Sequence, residues 1–306
     1  MYELKGVSER LIGNTPLVRL EKIERQFSLT AKLYAKAENF NAGGSIKDRV
    51  ALAIVNDAER SGRLKKGGTV IEATSGNTGV GLALVAASRG YKAVIVMPET
   101  MTVERRKLIS AYGAEIVLTD GSKGMQGAVE KAEELLKNTE NAIIAGQFIN
   151  PVCVTAHYES TAPEIYEALQ GAVDIFTAGV GTGGTLTGVG KYLKEKDPQT
   201  RVVAVEPQSS PLLSAGRAGA HGIQGIGANF IPQILDRNIY DEVLTVSDKD
   251  AVETAKLIAR EEGLFVGISA GANVFSAIRL AQRKENAGKT IVTVLPDSGD
   301  RYLSVW

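Results

Sequence analysis

Lys47 stands in the stretch NAGGSIKDR (residues 41–49), behind Gly43, Gly44 and Ser45 and ahead of the helically spaced apolar residues Val50, Ala53, Ile54 and Ala58. Glycines followed by a serine form a capping sequence, so the ammonium falls in the first turn of the predicted helix. There the positive end of the helix dipole disfavours a charged amine, and a neutral lysine forms Schiff bases with carbonyl compounds. The same string also suits an exposed lysine beside a cap.

Two further glycine-rich stretches are built to hold anions. In ATSGNTG (residues 73–79) a predicted buried strand, TVIEA, ends where a helix begins. That is the carboxyl end of a parallel strand, where open α/β sheets bind ligands. Thr74, Ser75, Asn77 and Thr78 add hydroxyl and amide groups to the helix-start amides, which suits a substrate carboxylate or a polar tight turn. In GVGTGGT (residues 179–185), Gly179, Gly181 and Gly184 spell GxGxxG after a strand, and Glu206 ends the next strand at a spacing that suits a ribose. An NAD-dependent oxidoreductase therefore competes with a phosphate monoester site, for which Thr182 and Thr185 are well suited. Lys47 and the carboxylate nest favour the monoester, because a dinucleotide fold has no use for them.

Ser269, between a strand-like run and a helix, suits either a hydrogen bond to a ring nitrogen or a plain cap. Gln147 lies at a strand end, with a binding or a structural role open. His157 and His221, the two histidines, lack the neighbours of a triad or the spacing of a metal site, so no metal and no histidine chemistry is expected. Cys153, the single cysteine, permits no internal disulfide and reads as packing.

The elements that must position these residues alternate between strand and helix, the signature of parallel sheets covered by helices. Strands are expected at 69–73, 92–97, 115–118, 142–145, 174–178, 201–205 and 290–295. Helices are expected at 79–88, 104–112, 124–137, 162–169, 185–194, 248–262 and 272–283. A boundary falls near residue 150. The chain has 306 residues, 44% of them hydrophobic, enough for about two domains. Thirty-five basic and 35 acidic residues cancel, so no global field favours nucleic acid or an anionic membrane. The balanced charge points to a small-molecule substrate and the single cysteine fits a reducing, cytoplasmic setting, while the N-terminus lacks a signal-peptide core and the longest apolar stretch, residues 80–87, is too short to span a bilayer.

Taken together, IGNTPL (12–17), GGSIKDR, SGNTG, MPETM (97–101), YGAEIVLT, GTGGT, GIGANFIP (225–232), GISAGA and DRYLS (300–304) resemble the cysteine synthase (O-acetylserine sulfhydrylase) family, in family order and over nearly the whole chain. The resemblance implies an α/β fold like that of the tryptophan synthase β subunit. This has two three-layer domains with mostly parallel twisted sheets and pyridoxal 5'-phosphate in the cleft between them. The smaller domain would be 40–150, carrying the carboxylate loop, and the larger 1–39 with 151–306, carrying the phosphate loop. It implies an internal aldimine on Lys47, the phosphate on Gly181, Thr182, Gly183, Gly184 and Thr185, Asn77 at the ring oxygen and Ser269 at the ring nitrogen. Thr74, Ser75, Gly76, Thr78 and Gln147 would take the substrate carboxylate. The implied activity is that of a transferase: O-acetyl-L-serine loses acetate, Lys47 acting as base, and sulfide adds to the resulting α-aminoacrylate to give L-cysteine.

Three positions depart from the family pattern. Ala42 replaces a proline, a modest loosening of the loop before Lys47. Asn229 stands where the family usually has glycine, bordering the substrate site, and Asp297 is a residue seen often in relatives that use homocysteine. A related β-replacement enzyme taking homocysteine or cysteine, and releasing hydrogen sulfide in the latter case, is therefore the nearest alternative. Family membership also implies a homodimer and, in some members, docking of the C-terminal tail of serine acetyltransferase.

Overall fold

The computed structural model describes residues 6–74, 76–100 and 103–305. In chain order the elements are β1 (Leu17–Arg19), α1 (Glu21–Gln26), β2 (Lys32–Ala37), α2 (Lys47–Arg60), β3 (Thr69–Ala73), α3 (Asn77–Arg89), β4 (Lys92–Pro98), α4 (Val103–Ala111), β5 (Glu115–Thr119), α5 (Gly124–Asn138) and β6 (Ala142–Ile144). There follow α6 (Val152–Ala156), a π-helical turn (His157–Thr161), α7 (Ala162–Ala168), β7 (Ile175–Gly179), α8 (Gly184–Lys196), β8 (Arg201–Pro207), α9 (Leu212–Ala215), β9 (Glu242–Val246), α10 (Asp248–Glu262), α11 (Ile268–Ala281) and β10 (Thr290–Leu295).

The chain forms two compact units. The first comprises Met1–Gly13 and Asn41–Cys153, the second Asn14–Phe40 and Val154–Trp306. The segment before residue 14 thus groups with the first unit, not with the 151–306 region as expected. Its Glu9 carboxylate grips the Arg89 guanidinium of α3 at 2.8 Å through both oxygens.

The first unit carries a parallel sheet in the order β5-β4-β3-β6. Ile71 and Val96 pack against Ala128 and Ala132 of α5 in its core. Gly81 of α3 brings α2 close, because a Cβ there would lie 3.0 Å from the Lys47 carbonyl oxygen. A larger residue would push the turn bearing Lys47 away.

The second unit's sheet runs β1-β2-β10-β7-β8-β9, with only the β1 and β2 pair antiparallel. Its core joins β2, β7, β8 and β10 to α10 and α11 through residues such as Leu33, Ile175, Val203, Ile258, Val274 and Leu295. No periodic signal announces β2, whose apolar run is broken by Lys36. That lysine is buried and pairs with Glu164 at 2.6 Å. Helix α11 starts at Ile268, earlier than the expected 272, so Ser269 lies inside its first turn. The weak helix formers there serve close packing: a Cβ on Gly271 would meet the Ala251 carbonyl oxygen at 1.9 Å.

Candidate active site

In the first unit, α2 begins at Lys47 itself, and the Lys47 N–H donates to Ser45 Oγ at 3.2 Å. Gly44 is left-handed (φ 77°), and the Gly43 N–H donates to the Asp48 carboxylate at 2.6 Å. A side chain on Gly43 would strike that carboxylate. The glycines therefore fold the loop back on the first turn of α2, which fixes where Lys47 starts. Burial lowers the affinity of the Lys47 amine for its proton, and the Cys153 thiol opposes this only partly. The amine is thus suited to attack a carbonyl group.

The 74–78 loop follows β3. Thr74 is tied to the sheet by its N–H on the Val96 carbonyl (3.0 Å), and the Gly76 N–H donates to Thr74 Oγ1 at 3.2 Å. Gly76, the N-cap of α3, faces open space, Asn77 opens the helix, and Thr78 is buried. The Thr78 hydroxyl donates to Gln147 Oε1 at 2.6 Å, which joins the loop to the segment that follows β6. Ser75 lies outside the described residues. A helix start with hydroxyls around it and space before Gly76 can receive a carboxylate.

In the second unit, the 179–185 loop links β7 to α8. The Gly179 N–H donates to Asn273 Oδ1 at 2.8 Å, and Asn273 Nδ2 donates to the Val294 carbonyl at 2.8 Å, so α11 holds the loop at its root. Gly181 passes so close to the 225–227 loop that a Cβ would lie 2.3 Å from the Gly225 carbonyl oxygen. Gly183 is left-handed (φ 87°) and caps α8, Gly184 opens the helix, and Thr182 is buried. This is a cup of helix-start amides too tight for side chains, as a phosphate requires. Ser269, also buried, places its Oγ 3.6 Å from where a Gly225 Cβ would sit, so the serine and the cup flank one glycine.

Glu206 does not serve the cup. Its carboxylate accepts the N–H groups of Leu213 (2.6 Å) and Ser214 (3.0 Å) and the Ser214 hydroxyl (2.5 Å), so it is consumed in capping α9. The ribose role that GxGxxG spacing suggests is thereby lost.

Asn229 is left-handed (φ 63°) and exposed, and its Oδ1 accepts the Ser210 hydroxyl at 2.8 Å. Ser210 Oγ in turn accepts the Gly219 N–H at 3.1 Å. The side chain expected to border the substrate therefore also ties down its own loop. Asp297 is buried under the start of α11, where its carboxylate accepts the Tyr302 hydroxyl and its carbonyl accepts the Gly267 N–H.

His157 has a role that residue spacing does not disclose. Buried in the π-helical turn, it contacts Thr161 Oγ1 through Nδ1 (2.9 Å) and Thr185 Oγ1 through Nε2 (3.2 Å). Gly188 permits this approach, since a Cβ there would meet the Val154 carbonyl oxygen at 2.4 Å. His221 anchors the 225–229 loop by donating from Nε2 to the Gly227 carbonyl at 2.8 Å. Glu72 belongs to no motif, although a carboxylate inside a buried strand is itself a signal. Among the described residues, no cluster of three or more His, Cys, Asp and Glu could hold a metal, and no helix is long and apolar enough to cross a membrane.

The family model described as pyridoxal-phosphate dependent enzyme matches residues 8–297. A cysteine synthase of Staphylococcus aureus strain Mu50 is 50% identical over 296 residues, 96% of this chain and 94% of that protein. The crystal structure of a cysteine synthase from Entamoeba histolytica superposes with a TM-score of 0.95 at 42% identity, covering 99% of this chain and 90% of that one. A hydrogen sulfide-producing enzyme from Fusobacterium nucleatum superposes with a TM-score of 0.91 at 46% identity, covering 98% and 100%.

Proposed function

The chain belongs to the pyridoxal-phosphate dependent enzymes, and from that premise we propose that it carries out the cysteine synthase reaction, replacing the acetoxy group of O-acetyl-L-serine by sulfide. The observation that carries this reading is Lys47: an amine at a helix start whose affinity for its proton burial lowers, set in place by the Gly43 to Ser45 turn.

Pyridoxal phosphate, when bound, supplies the electron sink for the negative charge that develops at the substrate Cα. Lys47 is its covalent anchor and the base: its Nζ takes the Cα proton and returns it once the new bond at Cβ has formed. The amides and hydroxyls of Gly181, Thr182, Gly183, Gly184 and Thr185 hold the phosphate, and His157 steadies the Thr185 hydroxyl. Ser269 would offer the ring nitrogen a neutral hydroxyl in place of a carboxylate, which favours elimination over transamination. Asn77 would orient the ring oxygen. Thr74, Ser75, Gly76, Thr78 and Gln147 bind the substrate carboxylate.

A second reading keeps this chemistry and changes the nucleophile to homocysteine or cysteine. Asn229 and Asp297 favour it, as does the similarity to a hydrogen sulfide-producing enzyme. A homodimer, a cytoplasmic location and docking of the serine acetyltransferase tail belong to the cysteine synthase reading, and are tested by sedimentation, fractionation and a pull-down with the tail peptide.

Purified protein is expected to be yellow and to form cysteine from O-acetylserine and sulfide. Lys47→Ala should lose the visible band and reduce turnover by about 10³-fold or more. A Lys47→Ala variant that keeps both overturns the assignment. Presenting sulfide, homocysteine and cysteine in turn, with O-acetylserine, identifies the accepted nucleophile.

A further inference from the structure

Glu72 has no task in the reaction described above, yet it lies on β3 two residues before Thr74 and is only 3% exposed. Its carboxylate accepts the N–H of Gly146 at 2.8 Å and of Gln147 at 3.3 Å, and the Gln147 side chain donates to it as well. The other end of that side-chain amide accepts the Thr78 hydroxyl. A single amide thus joins a buried carboxylate to the loop that receives the substrate carboxylate. The strands on either side bring apolar Ile95 and Ile144 beside β3. Among the described residues, Cys153 interacts electrostatically with both Glu72 and Lys47, and burial pushes its thiol up to about 12 and so keeps it neutral. Burial pushes the Glu72 carboxyl up to about 7, against the pull of the Gly146 and Gln147 donors.

Resting on the carboxylate reading of the 74–78 loop, we propose that Glu72 is a positioning residue for the amino-acid substrate: it fixes the Gln147 amide against Thr78, and it takes up a proton from solvent when a carboxylate binds there. The Gln147 Nε2 carries two N–H groups, one engaged by Glu72 and one able to reach an incoming carboxylate. When a carboxylate binds there and shares Nε2, the Glu72 carboxylate gains an anionic neighbour, which favours its neutral form. The proton passes from buffer to a Glu72 oxygen, and no bond in the substrate changes. Because binding takes up a proton, affinity falls as pH rises through neutrality.

The test uses the holoenzyme and L-alanine, an amino acid without a leaving group, titrated calorimetrically in phosphate and in Tris, whose heats of ionisation differ. Wild type should take up more protons on binding than Glu72→Gln. Its affinity should also fall by roughly tenfold more than that of the variant between about pH 6 and about pH 8. Equal uptake in the two proteins overturns the inference. Infrared difference spectra of wild type provide a check that needs no variant: a protonated carboxyl band should appear on L-alanine binding, and its absence also overturns the inference. Thr78→Ala separates the two levels. If it leaves L-alanine affinity unchanged, the carboxylate reading itself fails. If it weakens binding while Glu72→Gln keeps the wild-type uptake, only the role of Glu72 fails.

Discussion

Position 229 shows how much one residue can decide. Asparagine, like aspartate, tolerates the left-handed backbone better than most residues with a β-carbon, and here its side chain also accepts the Ser210 hydroxyl. Asn229→Gly keeps the backbone relaxed and loses one hydrogen bond, so its stability should change by no more than about 1 kcal/mol. Asn229→Ala loses the bond and adds left-handed strain, so it should cost about 1–3 kcal/mol, read by chemical denaturation. An alanine variant as stable as wild type would mean that the Ser210 bond contributes nothing and the backbone relaxes. Glu72 and Lys47 illustrate the same point in electrostatic terms, because burial alone moves both toward neutrality.

At the scale of elements, the candidate sites proposed above fall where strands hand over to helices: β3 to α3 in the first unit, β7 to α8 in the second. The handover works because the connecting glycines let the peptide chain come close to another segment, as Gly181 does to Gly225. Gly181→Ala inserts a methyl group 2.3 Å from a carbonyl oxygen. Overpacking of this kind should cost about 1–3 kcal/mol. It should also weaken cofactor binding by about tenfold or more if the cup is displaced by even a few tenths of an ångström. Absorbance titration of the apoprotein with pyridoxal phosphate measures the second effect, and unchanged affinity would show that the loop is not the phosphate site.

Across the molecule, buried ion pairs join segments that are distant in sequence. Arg89 binds Glu9 and Glu59 at 2.8 and 2.9 Å, with the Arg89 and Glu9 side chains almost wholly shielded from solvent. This ties the chain before residue 14 to the first unit. Removing one partner leaves buried carboxylates uncompensated, so Arg89→Leu should destabilise by about 3–5 kcal/mol, seen as a lower urea midpoint. A loss below about 1 kcal/mol would mean that solvent enters and compensates the carboxylates. Glu72→Gln bears on stability differently, since the carboxyl it removes is one that burial already disfavours in charged form.

Local chemistry was legible from the chain alone. The TVIEA strand, the helix beginning at Lys47, the α10 boundaries and the three glycine stretches all follow from patterns of neighbouring residues, because capping, alternation and turn formation depend on residues a few positions apart. The order of strands in each sheet, the buried Lys36 that disguises β2, the capture of Glu206 by α9 and the contact of His157 with Thr185 were decided only in three dimensions. Each depends on which distant segment supplies the partner for a buried polar group. A polar residue reads the same in a sequence whether it faces a ligand, a helix end or water, and only packing decides among the three.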